Sequence, residues 1–245
     1  MNWEPWQWGL AIVGALLVGM AKSGIAGLGM LFVAIFAQIM PARESTGIVL
    51  PLLCLGDVLA VASFRRHAQW RFLWRLFPWT AAGVVLGYFA LGRIDDRQTR
   101  LLIGAIILAL LALHVGRRWR AGDTVGEEHR WWVAPAVGVL AGFTTLVANA
   151  AGPLMVIYLL AMRLPKMEFV GTGAVFFLLL NLFKVPFMLD LGLINHGSFT
   201  VNLWLAPAVL AGAWLGRWLL GKINQRLFEN LVLVFSALAG LKMLL

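Results

Sequence analysis

Hydrophobic positions gather into ten apolar stretches, at 6–21, 24–40, 44–64, 72–91, 99–116, 131–148, 150–162, 168–190, 199–220 and 226–245. The third, fourth, fifth, eighth, ninth and tenth hold about 18–23 residues, enough to cross a hydrocarbon core of about 30 Å at about 1.5 Å per residue. The first two are shorter and abut at 20–29, and the sixth and seventh abut at 143–153. Sixteen helical residues rise only about 24 Å, less than a full crossing. Both junctions carry Gly, Pro, Lys, Thr or Asn, residues that break helices or need polar partners. The pattern predicts an all-α polytopic membrane protein with two broken or re-entrant elements. Irregular backbone at membrane depth is stable only against protein or a water-filled cavity.

Loop charge sets a direction. If each broken element goes in and comes back, with the N-terminus outside, the cytoplasmic loops hold Arg65, Arg66, Arg71, Arg75, Arg117, Arg118, Arg120, Arg130, Arg163, Lys166, Arg217, Lys222 and Arg226. Arg43, Arg93, Arg97, Arg100 and Lys242 then lie outside, and Lys22 and Lys184 lie within the membrane. Single crossings would put the basic loop at 65–75 on the same side as 190–199, which has no Lys or Arg. The positive-inside rule favours the first arrangement, with the C-terminus also outside. Trp3, Trp6, Trp8, Trp70, Trp74, Trp131 and Trp132 sit at span ends, as interfacial aromatics do. The first stretch has no basic segment before it and no small-residue cleavage site after it, so it is expected to persist as a helix.

The two halves resemble each other. Pro41, Glu44 and Gly47 match Pro165, Glu168 and Gly171 at an offset of 124. Pro78, Gly83, Gly87 and Gly92 match Pro207, Gly212, Gly216 and Gly221 at an offset of 129. Each half holds five segments, an odd number, so two copies insert with opposite orientation. That is the inverted-repeat plan of many secondary transporters, whose broken helices meet near the midplane. The expected division is a first repeat over 1–116, a cytoplasmic linker over 117–130 and a second repeat over 131–245. The Gly-x3-Gly pairs are close-packing positions.

Composition narrows the class. Apolar residues make up 61 % of the chain and charged residues 13 %, about half the soluble average of about 25 %. This excludes a disordered chain, a secreted disulfide scaffold and an ordinary cytosolic enzyme. The single cysteine, Cys54, permits no intrachain disulfide. The net charge of +9 is cytoplasmic-loop Arg facing anionic lipid, with no separate domain to present it to nucleic acid.

The candidate chemistry is intramembrane. Lys22 adjoins Ser23, Gly24, Gly27 and Gly29; it either neutralises an anion, with glycine-exposed N–H groups beside it, or snorkels from a helix end. Lys184, within about one turn of Asn181, either binds the same anion or snorkels toward 190–199. Asp57 is the acid well inside an apolar run. It either takes a coupling proton or forms a structural ion pair with Lys22 or Lys184. Its mate at an offset of 124 is Asn181. Thr144, Thr145 and Asn149, just before Gly152 and Pro153, supply neutral hydrogen bonds, although a Thr can bond back to its own helix. His114 is interfacial. No His/Cys/Asp/Glu group has metal spacing, and no nucleophile elbow or phosphate-binding lysine motif is present. The expectation is a non-enzyme without metal or cofactor.

Gly19-Met-Ala-Lys22-Ser-Gly24-Ile-Ala-Gly27-Leu-Gly29, followed by Met40-Pro-Ala-Arg-Glu, resembles the first repeat of the sulfite exporter TauE/SafE family. Asn149-Ala-Ala-Gly152-Pro153, Tyr158, Leu164-Pro-Lys, Phe169, Gly171-Thr172, Phe176-Phe177 and Asn181-x2-Lys184-x-Pro186 resemble its second repeat. The resemblance covers almost the whole chain. It implies an inner-membrane transporter that moves sulfite, sulfonates or related sulfur anions, generally outward. It also implies about eight spans built as a duplication. Lys22, Gly24, Gly27, Asn149, Gly152, Pro153, Asn181, Lys184 and Pro186 carry over. The first repeat departs from the family pattern in its interrupted glycine cluster and in lacking a proline about five residues later. The expected function is alternating access around a midplane anion site. The alternatives are an anion channel of the same architecture and a non-transporting membrane subunit.

Overall fold

The computed structural model describes residues 3–24, 28–91 and 132–224 as continuous chain, with scattered positions in 97–112 and 227–241. Gly27, His114 and the expected linker at 117–130 lie outside the described residues. The described chain is helical: α1 (Pro5–Lys22), α2 (Gly29–Ile39), α3 (Ala42–Phe64), α4 (Trp70–Ala90), α5 (Val133–Ala148), α6 (Gly152–Ala161), α7 (Lys166–Asp190) and α8 (His196–Lys222). A 3-10 turn at Arg65–His67 joins α3 to α4.

Local chemistry sets the helix ends. Pro5 opens α1 behind a reciprocal Glu4–Gln7 capping box. α3 and α7 both follow a proline, Pro41 and Pro165, and both carry a first-turn acid, Glu44 and Glu168, at the positive end of the helix dipole. Asn195 and Ser198 cap α8 reciprocally. Among the described residues, three helical segments are long and apolar enough to cross a membrane: Glu44–His67, Lys166–Asp190 and His196–Lys222. α4, at 21 residues, spans about 31 Å. With 11 and 10 residues, α2 and α6 rise only about 16 and 15 Å, too short to cross. The outer surface is apolar, with Trp74, Trp204 and Trp214 each about 70 % exposed. Water would not tolerate such a surface on a stable monomer, and lipid would.

Helix directions follow from which residues meet. The chain that leaves α1 returns beside it: Gly14 packs on Phe36, and the Gln7 side chain donates to the Ile39 carbonyl at 3.3 Å. α1 and α2 are therefore an antiparallel hairpin. α1 runs parallel to α8, with Leu16, Met20 and Gly24 against Gly212, Gly216 and Leu220. α4 runs parallel to α5, with Leu76, Gly83 and Gly87 against Gly138, Gly142 and Leu146. α3 and α7 cross the centre antiparallel: Gly47 meets Leu193, Asp57 meets Asn181, and Phe64 meets Gly171.

Two of these packings correspond contact by contact. Gly83 lies on the Val139 carbonyl, and Gly142 lies on the Thr80 carbonyl. In the other pair, Gly212 lies on the Leu16 carbonyl and Gly19 on the Val209 carbonyl. Residues on α4 map to α8 at an offset of 129, and those on α5 map to α1 at an offset of 123. Any side chain at these four glycines would strike backbone, which cannot move aside as a flexible side chain can. The missing Cβ is what lets the helix axes approach.

Candidate functional site

Both helical breaks open on one cavity of about 100 Å³ between the hairpins and the α3–α7 centre. At the first break, the Ser23 N–H bonds to the Gly19 carbonyl and ends α1, and Gly24 turns the chain at φ 138°. At the second, Asn149 ends α5 in the left-handed region at φ 51°, where Asn is better tolerated than most side chains. Its side-chain amide donates to the Thr46 carbonyl at 3.2 Å and holds the break to α3.

The two short helices start at the cavity, since Gly29 opens α2, Gly152 opens α6, and both line the wall. A Cβ on Gly152 would meet open space, and one on Gly29 only Phe32, so neither glycine is needed to avoid a clash. Their backbone is left bare toward the cavity. First-turn N–H groups lack intrahelical acceptors and carry the positive end of the helix dipole, an arrangement suited to anions.

Polar side chains meet on the far wall. The Lys22 ammonium pairs with Asp57 Oδ1 at 2.8 Å and lies 4.3 Å from the centre of the Phe177 ring. Asn181 Nδ2 donates to Asp57 Oδ2 at 2.6 Å, so each carboxylate oxygen has a partner. Lys184 is fully buried, and its ammonium donates to Asn149 Oδ1 at 2.6 Å and to Thr145 Oγ1 at 3.3 Å. Both acceptors are neutral. Among the described residues, no carboxylate lies within ion-pair distance of Lys184.

Of the residues singled out from the sequence, Lys22, Gly24, Asp57, Thr145, Asn149, Gly152 and Asn181 line this cavity. Lys184 stands behind the wall, on Thr145 and Asn149. Ser23 is buried at the end of α1 and is not among the lining residues. Thr144 bonds to the Ala141 carbonyl of its own helix. Of the two partners left open for Asp57, the structure selects Lys22 over Lys184. The sequence pattern did not single out Phe32, Met155 and Leu159 of the apolar wall, and it marked Phe169 and Phe177 only as motif residues, without the place of Phe169 in that wall or the Lys22–Phe177 stack. An aromatic inside an apolar span has the same sequence signature whether it faces core, lipid or cavity.

The fold and site together define a helical membrane protein. It encloses a small cavity with cationic side chains, bare helix starts and amide donors. The family of the sulfite exporter TauE/SafE matches residues 11–243, and the chain belongs to that family. Its multi-pass helical architecture serves membrane transport. The chain is 27 % identical over 182 residues to the "Probable inner membrane transporter protein TsaS" of Comamonas testosteroni, covering 73 % of each chain. No solved structure matches it.

Proposed function

We propose that the protein is a secondary transporter, an exporter of small sulfur-containing anions such as sulfite or organosulfonates in the bacterial inner membrane. It works by alternating access around the cavity between the two breaks. The observation that carries this reading is the Lys184 ammonium, held beside the cavity by groups that, among the described residues, are all neutral. A lysine in a membrane interior costs several kcal/mol unless its charge is matched or hydrated. A bound anion supplies the missing charge. The α2 and α6 starts and the amides of Asn149 and Asn181 supply donors for its oxygens.

In this mechanism Lys22 and Lys184 hold the charge, and Asn149, Asn181 and Thr145 shape the polar wall. Gly24 and Gly152 keep the backbone close to the ligand. The chemistry is binding and release, with no covalent step. The corresponding glycine contacts of α1–α8 and α4–α5 support two inverted copies of one five-segment unit, 1–116 and 131–245. Alternating access then rocks one copy against the other, with α3 and α7 as the shared centre. Of the two roles open to Asp57, a coupling proton or an ion pair, this mechanism takes the second: Asp57 stays ionised on Lys22, since an unpaired charge in an apolar interior is costly. Both termini lie outside.

The test is reconstitution in proteoliposomes with labelled sulfite, thiosulfate and taurine. The reading expects saturable flux, with counterflow acceleration when unlabelled anion fills the far side. Large single-channel currents without counterflow would make it a channel. No flux of any sulfur anion would end the transport reading. A thermal-shift screen with the same anions reports binding independently, since a ligand specific to the folded state raises its stability.

A further inference from the structure

From the charges around the cavity we infer that the site selects monovalent anions over divalent ones, and that Asp57 sets this selection. The inference rests on the transport reading above and adds the charge class of the substrate.

Among the described residues, Lys22 and Asp57 are the only charged side chains that line the cavity, and they pair at 2.8 Å. Lys184 contributes a third charge through the wall it shares with Thr145 and Asn149. Two ammonium groups and one carboxylate leave a formal charge of one positive unit. The helix ends add little to this sum. The starts of α2 and α6 bring positive dipole ends to the cavity, and the ends of α1 and α5 bring negative ones to the same two breaks.

A monoanion neutralises the occupied site. A dianion leaves one negative unit in a cavity walled by Phe32, Leu53, Met155, Val156 and Leu159, with no cation to match it. Asp57 is thus an internal anion that occupies one of the two lysines and leaves one ligand charge to be matched. A sulfonate or hydrogen sulfite meets this condition, and sulfate does not. The oxygen donors described above are common to both kinds of ligand, so geometry alone would not separate them.

The experiment compares methanesulfonate, a monoanion, with sulfate, a dianion, at near-neutral pH. Each is titrated into the purified full chain in detergent, with thermal shift and calorimetry as readouts. Wild-type protein is expected to bind methanesulfonate and to prefer it over sulfate by about tenfold or more, because the second charge of the dianion loses its water without gaining a partner. Asp57→Asn raises the site to two positive units and is expected to reverse the preference. The double variant Lys22→Met/Asp57→Asn returns it to one positive unit and is expected to restore the monoanion preference. If Asp57→Asn alone does not fold, Lys184→Met decides: it leaves Lys22 matched by Asp57 and a net charge of zero, so methanesulfonate binding is expected to be lost, and binding that persists overturns the assignment. A wild type that prefers sulfate, or an Asp57→Asn protein with unchanged preference, overturns the charge assignment while leaving transport intact. A double variant that prefers sulfate overturns it as well. A wild type that answers to no anion, sulfite and thiosulfate included, overturns the transport reading and this one with it.

Discussion

The two chain breaks meet at one cavity and carry their charge in opposite ways. The first presents Lys22 already matched by Asp57, with Asn181 holding the other carboxylate oxygen. The second presents only neutral groups, Thr145 and Asn149, and these receive Lys184 from the long helix α7. The helices leading into the breaks, α1 and α5, pack through corresponding glycines on α8 and α4. The scaffold is therefore alike at the two breaks and the electrostatics are not. A fold can hold two equivalent positions through backbone contacts and still assign one a structural ion pair and the other an unmatched charge.

The sharpest way to break this comparison is to remove the unmatched charge. Lys184→Met keeps the length and apolar stem of the side chain, and replacing a buried charge with a packed apolar group is often neutral or stabilising. Anion flux in proteoliposomes is expected to fall by about a hundredfold while the unfolding midpoint holds or rises. Normal flux would remove Lys184 from the site. A collapsed midpoint would make it structural.

Removing one partner of the matched pair has the opposite signature. Asp57→Ala leaves Lys22 with its counter-charge gone and is expected to cost about 3–5 kcal/mol of stability, read by thermal or denaturant unfolding in detergent. A loss under about 1 kcal/mol would mean that the ion pair does not hold Lys22 in place.

The glycines test the likeness of the scaffold. Gly19→Val and Gly142→Val both drive a side chain into backbone across the interface, at Val209 and Thr80. Each is expected to cost about 1–3 kcal/mol, and the two costs should agree. A large inequality would break the correspondence between the halves.

The smallest effect separates neighbours. Thr145→Val removes an acceptor of Lys184 and is expected to lower anion affinity about threefold to tenfold, the effect of one hydrogen bond. Thr144→Val removes only a bond within its own helix and is expected to leave affinity within about twofold. Equal effects would show that the cavity does not distinguish the two hydroxyls.

Much of this architecture was legible in the chain because lipid imposes simple rules. Long apolar runs at 44–64, 168–190 and 199–220 became α3, α7 and α8, since a backbone without water must bond to itself. The paired breaks were visible because Gly, Pro and Asn interrupt runs too short to cross. Loop arginines favoured the hairpin arrangement, and the return of α2 along α1 matches it. Intramembrane lysines and acids stood out because an apolar solvent makes each one costly.

What the sequence determined by itself is therefore the class of fold, the location of the breaks and a short roster of polar residues. Those follow from local chain energetics in lipid. Which charge pairs with which was decided only by tertiary structure. Lys22 and Lys184 look equivalent along the chain, and either could have reached Asp57. The antiparallel crossing of α3 and α7 brings Asn181 to Asp57, and the end of α1 brings Lys22 to the same carboxylate. Lys184 is turned instead toward the neutral second break. Electrostatic pairing depends on distances between helices remote in sequence, and no local pattern encodes those distances.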